Sequence, residues 1–151
     1  MKHLLASAAF AGLALSAGLA LAQGAATVKV SESEEYGKYL TDADGRALYL
    51  FTADTQGAGG ATAEVSCTGE CLTNWPPFYS DGDPQAGDGA DSAKIGTVEH
   101  DGKQMVTYNG WPLYHFAKDE EPGQTNGQEI ESYGGEWYLV TPEGEEVEED
   151  E

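Results

Sequence analysis

The chain has 151 residues, and its 27 acidic residues against seven Lys and Arg give a formal net charge of -20 at pH 7. So large a negative charge repels phosphate backbones and anionic lipid headgroups, and therefore excludes nucleic-acid binding and attraction to an anionic membrane surface. The length is sufficient for one hydrophobic core but not for two independent ones. We therefore expect a single folded domain, over residues 23–142.

The first 22 residues have the composition of a secretory signal peptide. Lys2 and His3 precede an apolar stretch rich in Ala and Leu, and Ala20-Leu21-Ala22 is a cleavage site of the A-x-A type. The sequence thus predicts a signal peptide at 1–22 and a periplasmic or secreted mature protein. No later apolar run reaches membrane-spanning length, so we expect no membrane anchor after cleavage.

Short runs of β-branched and aromatic residues follow, separated by Asp-Gly, Asn-Gly and Gly-Gly pairs. This pattern is typical of strands joined by hairpins. It predicts a three-stranded meander over 95–116 and a last hairpin in which 128–133 pairs with 136–141. Segment 66–74 is predicted to contain a short helical turn, near Cys67 and Cys71.

The fold class predicted is mainly β, with two tandem antiparallel β-meander repeats, around 37–79 and 95–141, that share one core. Two Gly-rich segments, 54–63 and 80–92, are predicted to be exposed loops. The terminal run 143–151 is dominated by acidic residues, which favours a disordered, solvating tail. An alternative role for this tail is an acidic tether for a cation or a basic partner.

The block G-x-x-L-Y-x-F-x-x-D occurs twice, at 45–54 and 110–119, and a block that recurs in this way indicates a duplicated unit. Alternation along a strand places its Tyr and Phe on one face, so we expect these pairs to pack against their counterparts. The Asp is expected to cap a turn by accepting backbone N–H groups. A rival interpretation is a ligand site built from the tyrosines and aspartates by pseudo-symmetry. The motif residues are Tyr49, Phe51, Asp54, Tyr114, Phe116 and Asp119.

Cys67 and Cys71 are the only cysteines, and in an exported protein a disulfide between them is the expected state. Residues four apart on a helical turn lie on one face, within the distance that a disulfide spans. The alternative is a copper site, in which the two thiolates are joined by His115, His100 or Met105, or a dithiol redox site. His115 is expected on the more exposed face, opposite to Tyr114 and Phe116.

A calcium hypothesis arises from two acidic segments, 42–45 and 81–91, because calcium is bound by about six to eight oxygen ligands. The first segment lacks the third Asp and the terminal Glu of an EF-hand loop, and a hairpin turn also explains it.

A rigid aromatic stretch follows the cysteines and is a candidate surface for a partner or a carbohydrate. In the competing interpretation, Trp75 and Trp137 fill the shared core. The candidate surface residues are Trp75, Pro76, Pro77 and Phe78.

Tandem Y-x-[FWY]-x-x-D, with Cys67-x-x-x-Cys71-x-x-x-Trp75-Pro-Pro between the copies, resembles the bacterial secreted repeat family, also described as predicted lipoproteins with a Yx(FWY)xxD motif. The resemblance extends over about 39–144. It implies no established biochemical function. Lipoprotein members carry a lipobox Cys at the end of the signal peptide, and this chain has none there.

The sequence contains no convincing nucleophile with its base and no carboxylate pair in a defined cleft, so we expect no enzymatic activity. We expect an exported binding or accessory module of the cell envelope, without a cofactor, whose partner is an unknown envelope protein or small ligand. The alternative function is a periplasmic copper-binding or thiol-redox protein that uses Cys67 and Cys71.

Overall fold

The computed structural model describes residues 24–57 and 62–148, and these are mainly β. The predicted signal peptide, 1–22, lies outside the described residues. Within them there are two short helical segments, α1 at Glu70–Asn74 and a 3-10 turn at Ser92–Lys94. The first is the helical turn predicted near the cysteines, and the second begins at the end of a segment predicted to be an irregular loop.

Ten strands are formed by the described part of the chain. Their bounds are β1 Thr27–Ser33, β2 Gly37–Thr41, β3 Tyr49–Phe51, β4 Tyr79–Ser80, β5 Gln85–Ala86, β6 Ile95–His100, β7 Lys103–Tyr108, β8 Trp111–Pro112, β9 Ile130–Ser132 and β10 Gly135–Leu139.

The strands form three sheets, with the orders β2-β1-β5, β3-β10-β9 and β4-β7-β6, and β8 also pairs with β7. All pairings are antiparallel except that of β1 with β5. The predicted mainly β, antiparallel, two-repeat fold is confirmed. The repeats nevertheless exchange strands, because β3 of the first pairs with β10 of the second and β4 of the first pairs with β7 of the second.

The predicted meander over 95–116 corresponds to β6, β7 and β8, which pair consecutively. Its turns are Asp101-Gly102, with φ of 51° and 76°, and Asn109-Gly110, with φ of 53° and 82°. Hairpin turns of the primed types need positive φ at both positions, which Gly tolerates freely and Asn and Asp tolerate better than most residues. The last hairpin turns one residue earlier than predicted, at Tyr133-Gly134.

Strand β1 was not predicted, and it supplies the neighbour for β2 from Lys29↔Thr41 to Ser33↔Gly37. On its other side β1 pairs with β5, which lies inside the segment 80–92 predicted to be a loop. The sheet that contains β2 therefore includes a strand on the N-terminal side of residue 37, where none was predicted.

The core consists of two clusters. The aromatic cluster is centred on Tyr49, Phe51, Trp75, Tyr114, Phe116 and Trp137. The leucine cluster contains Leu40, Leu48, Leu50, Leu113, Phe78, Val106 and Val140. Successive residues of a strand face opposite sides, so Tyr49 and Phe51 enter one cluster while Leu48 and Leu50 enter the other. The first copy of the repeated block is therefore buried on both faces.

The predicted disordered tail is wrong for its described part, 143–148. Val147 is only 3% exposed and belongs to the aromatic cluster. Its N–H donates to the carbonyl of Leu139 at 2.9 Å, and its carbonyl accepts from Gln128 Nε2 at 2.7 Å. The buried side chain of Val147 and these hydrogen bonds together hold the segment against the domain, since burial of an apolar side chain is favourable. Residues 149–151 lie outside the described ranges.

Candidate functional site

The two copies of the block meet at Tyr49 and Tyr114. The N–H of Tyr49 donates to the Tyr114 carbonyl at 2.8 Å, and the N–H of Tyr114 donates to the Tyr49 carbonyl at 3.0 Å. Equivalent bonds surround them, because Leu40 N–H donates to the Val140 carbonyl and Val106 N–H donates to the Phe78 carbonyl, both at 2.8 Å. Such reciprocal pairs show that a local twofold axis relates the copies and passes between the two tyrosines.

The motif tyrosines and aspartates form crossed hydrogen bonds between the copies. The hydroxyl of Tyr49 donates to Asp119 Oδ2 at 2.5 Å, and the hydroxyl of Tyr114 donates to Asp54 Oδ2 at 2.7 Å. A hydrogen bond to a charged acceptor is shorter and stronger than one between neutral groups. Each copy therefore supplies the partner that the buried tyrosine of the other copy needs.

The second oxygen of each aspartate holds a loop. Asp54 Oδ1 accepts from the N–H of Ser66 at 2.7 Å and from its hydroxyl at 3.0 Å, and Asp119 Oδ1 accepts from the N–H of Asn126 at 2.8 Å. The aspartates were expected to accept backbone N–H groups of a local turn. The donors instead lie 12 and seven residues further along the chain, so each carboxylate fixes the return of a longer loop.

Burial controls the protonation of these pairs. It raises the pKa of Asp54 and Asp119 above the usual value, although the bonds from Ser66, Tyr114, Tyr49 and Asn126 act in the opposite direction. Burial, together with the neighbouring carboxylate, raises the pKa of both tyrosines well above the ordinary value, so they remain protonated donors. The four side chains are at most 6% exposed. The arrangement is an internal one, and the rival ligand site would require these bonds to open.

Four aromatic rings of the motif region form a continuous stack in the order Phe51, Trp137, Trp75, Phe116. The ring centroids are separated by 3.9, 3.9 and 4.1 Å, and the interplanar angles are 6°, 3° and 24°. Tyr49 lies edge-on to Trp75 at 5.4 Å, and Tyr114 lies edge-on to Trp137 at 5.0 Å. The Tyr and Phe of one copy also contact those of the other directly, since Tyr49 lies edge-on to Phe116 at 6.2 Å and Phe51 lies edge-on to Tyr114 at 6.5 Å.

The predicted binding surface at Trp75, Pro76, Pro77 and Phe78 is wrong for its aromatic members, because Trp75 is 1% exposed and Phe78 is 8% exposed. This stretch occupies the place that β10 occupies in the other half. Pro77 forms a bridge with Tyr114, as Leu139 of β10 pairs with Tyr49. Because proline has no N–H to donate, the backbone pairing of this stretch is limited. It consists of this bridge and of single bonds such as that from the His115 N–H to the Pro76 carbonyl, at 2.8 Å.

The predicted disulfide is confirmed. Cys67 and Cys71 are joined, with their Cα atoms 5.4 Å apart, and they are 1% and 2% exposed. Met105 belongs to the same aromatic cluster, whereas His115 packs edge-on against Phe78 of the leucine cluster. The predicted copper set is not assembled in this arrangement, because the sulfurs are bonded to each other and the imidazole lies on the other cluster.

His115 bonds to Asp42, through Nε2 and Oδ2 at 2.8 Å, and its side chain is 25% exposed. Asp42 Oδ1 accepts from the N–H groups of Asp44 and Arg46 at 2.9 and 3.0 Å. Burial raises the pKa of Asp42, but the bonds from His115 and Arg46, the charge of His115 and the bond from Asp44 outweigh it and lower the pKa below its usual value. These donors already occupy the carboxylate predicted to bind calcium in 42–45.

The other polar candidates are engaged locally. Asp91, in the second acidic segment, caps the 3-10 turn by accepting from Ala93 N–H at 2.9 Å, and His100 Nδ1 lies 2.9 Å from the Tyr79 hydroxyl. Across 24–57 and 62–148, no group of three or more His, Cys, Asp and Glu side chains is arranged to hold a metal ion.

The sequence did not predict an open groove of about 620 Å³ beside the C-terminal segment. It is lined by buried Leu50 and half-buried Trp111, and its charged lining residues are Glu145, Glu146 and Glu148. Burial, with the charges of Glu148 and Glu136, raises the pKa of Glu146. The remaining lining residues are Thr52, Gln56, Asn109 and Gly144.

Hydrogen bonds fix the walls of this groove. Gln56 Nε2 donates to the Asn109 carbonyl at 2.7 Å, and Asn109 Nδ2 donates to the Gly144 carbonyl at 3.1 Å. Three distant segments are thereby held around Trp111. No local pattern indicates this site, because its acidic residues belong to the segment expected to be disordered.

None of the helices in the described ranges has the length and apolar character needed to cross a bilayer. No curated protein and no solved structure matches the chain. A family model described as a secreted repeat of unknown function matches residues 31–79 and 97–141, which together are more than half of the chain. Each match contains one copy of the repeated block, and the description agrees with the predicted export. The chain therefore belongs to this family of secreted repeats, as its motif predicted.

Proposed function

We propose that the protein is an exported, non-enzymatic binding module that holds a basic segment of an envelope partner in the groove beside Trp111. The observation that carries this proposal is that Glu145, Glu146 and Glu148 line the same groove as a half-buried tryptophan. An exported protein of this acidity meets partners outside the cytoplasm, where a basic segment is its electrostatic complement.

The motif residues support a binding role over an enzymatic one. Tyr49, Tyr114, Asp54 and Asp119 are buried and hydrogen-bonded to one another across the two copies. A general acid or base must reach the proton that it transfers, and these buried groups are occupied by bonds to one another and to Ser66, Asn126 and Gly127. The repeated residues therefore build the scaffold, and recognition is left to surfaces where the copies differ.

The chemistry of the groove suits a Lys or Arg side chain. Carboxylates form short, charge-assisted bonds with ammonium and guanidinium groups, and the face of an indole ring attracts a cation within about 6 Å. The raised pKa of Glu146 reflects burial and crowding of like charges, which a bound cation would relieve. Because the walls are already bonded together, little ordering is required on binding.

The test is calorimetric titration with a short peptide that alternates Arg and Ser. We expect the E145Q/E146Q/E148Q variant to bind roughly tenfold more weakly than wild type, which corresponds to about 1.4 kcal/mol. The matched control is E34Q/E35Q/E70Q, which removes the same charge at exposed positions outside the groove. Equal weakening in both variants would show unspecific attraction to the net charge and contradict the proposal.

The alternative, copper binding or thiol redox chemistry at Cys67 and Cys71, has less support because both sulfurs are buried in a disulfide. The intact native mass of protein purified without reductant separates copper binding from the binding module. A bare chain that contains the disulfide contradicts copper binding at the cysteines. An added metal mass with both thiols free supports it.

A further inference from the structure

The stack of four rings has an unusual geometry for a core. Trp75 and Trp137 lie 3.9 Å apart with an interplanar angle of 3°, and Phe51 and Trp137 lie 3.9 Å apart at 6°. Ring quadrupoles favour offset or edge-to-face pairs with centroids about 4.5–7 Å apart over a face-to-face sandwich. Close parallel rings nevertheless have overlapping π orbitals. When one electron is removed, this overlap delocalises the resulting positive charge over both rings.

A proton acceptor lies at each tyrosine that touches the stack. Tyr49 contacts Trp75 and donates to Asp119 at 2.5 Å, and Tyr114 contacts Trp137 and donates to Asp54 at 2.7 Å. A phenol that loses an electron becomes a strong acid. A carboxylate already bonded to its hydroxyl can take the proton without any rearrangement of solvent.

The same geometry occurs on both sides of the local twofold axis. One unit contains Tyr49, Trp75, Phe116 and Asp119, and the other contains Tyr114, Trp137, Phe51 and Asp54. The units are joined by the contact between the two tryptophans. If the central tryptophan pair loses an electron, a tyrosine that can replace it lies at either end of the pair. Each of these tyrosines is bonded to its own carboxylate.

We propose that this core is an electron donor, which gives one electron to a high-potential one-electron oxidant outside the protein and stores the resulting radical on Tyr49 or Tyr114. The oxidant takes one electron from the tryptophan pair and is reduced. The tyrosine then returns an electron to the pair, and its hydroxyl proton moves to the bonded carboxylate. The products are the reduced oxidant, a neutral tyrosyl radical and a protonated aspartic acid, so charge and atoms balance.

The test is photo-oxidation of the wild-type protein by a laser-generated ruthenium(III) complex, followed by transient absorption. We expect the tryptophan radical to decay as a tyrosyl radical appears, and this radical to live at least about tenfold longer than in the same protein unfolded in urea, where no acceptor is positioned. Equal lifetimes in folded and unfolded protein would overturn the proposal without any variant.

Variants then locate the radical. Y49F/Y114F keeps both rings and removes both hydroxyls, and we expect the long-lived tyrosyl signal to fall at least about tenfold. The matched control is Y138F, because Tyr138 also bonds to a carboxylate, that of Glu136, but packs against the leucine cluster. An unchanged signal in the double variant, or an equal loss in the control, would overturn the assignment. The single variants Y49F and Y114F serve if the double variant does not fold, and each is expected to lower the signal.

Discussion

The first copy of the repeated block has Leu50 where the second has His115. Leu50 is 1% exposed in the leucine cluster and is one of the residues that line the acidic groove. His115 is 25% exposed in its side chain and bonds to Asp42. One residue earlier, both copies have a fully buried tyrosine. Positions whose side chains reach across the local axis have thus stayed alike, and a position that faces away has diverged.

The segments that contain Trp75 and Trp137 also differ between the two repeats. Trp137 lies in β10, which pairs with β3 over three residues. Trp75 is followed by two prolines, and its segment has a bridge to Tyr114 and single backbone bonds to His115 and Ala117 in place of a strand pairing. The half with the shorter ladder is the half that has the disulfide. We infer that Cys67–Cys71 replaces part of the order that backbone pairing gives to the other half.

The largest expected effect concerns the hydrogen bonds that cross between the two copies. Asp119→Ala leaves the Tyr49 hydroxyl buried without its acceptor, and we expect a loss of about 1–3 kcal/mol in the free energy of unfolding. Combining it with Tyr49→Phe gives a double-mutant cycle, and we expect a coupling of about 1 kcal/mol or more. Urea unfolding measures each corner of the cycle.

The matched cycle pairs Tyr49→Phe with Asp54→Ala from the same copy. Tyr49 donates to Asp119 and not to Asp54, so we expect a smaller coupling, below about 0.5 kcal/mol. A larger coupling within one copy than between copies would show that the hydrogen bonds do not cross the axis.

A smaller effect is expected from the disulfide. Loop-closure entropy for so short a ring gives at most about 2 kcal/mol, so Cys67→Ala with Cys71→Ala should lower the free energy of unfolding by this amount or less. We expect the variant to fold, because the disulfide is local and most ring contacts of the aromatic cluster do not involve it. Wild-type protein in reductant is the control, and loss of folding in either sample would contradict the prediction.

The features predicted from sequence are those with local signals. Asp101-Gly102 and Asn109-Gly110 specify their turns through positive φ, and two cysteines four residues apart specify their own partner. β1 also had a local signal, since Val28 and Val30 alternate with polar residues, but it was missed. The crossed bonds had no such signal, because a repeated Tyr and Asp do not reveal whether each pairs within its copy or with the other copy.

The acidic groove could not be predicted from local sequence patterns. Its Trp111 and Glu146 are brought together by the return of the C-terminal segment, which one valine anchors in the core. Residues 143–151 are mostly acidic, so the composition of this segment predicts disorder even though it contains Val147. A single apolar contact of this kind depends on the tertiary fold and cannot be inferred from local pattern.

The smallest expected effect concerns the position that diverged. His115→Leu gives the second copy the residue of the first and removes the bond to Asp42, so we expect a loss of about 1 kcal/mol or less at neutral pH. Asp42 has a folded pKa below its unfolded value, so its contribution is present above the unfolded pKa and is lost as pH falls through the folded pKa.

The stability difference between wild type and His115→Leu should therefore shrink as the pH falls through the folded pKa of Asp42, because the carboxylate that bonds to His115 is then protonated. Asp54 and Asp119 have raised pKa values, so their own contribution falls as pH rises through those values, but it is common to both proteins and cancels in the difference. Urea unfolding at several pH values measures this. A difference that did not change with pH would mean that His115 acts only through its packing on Phe78.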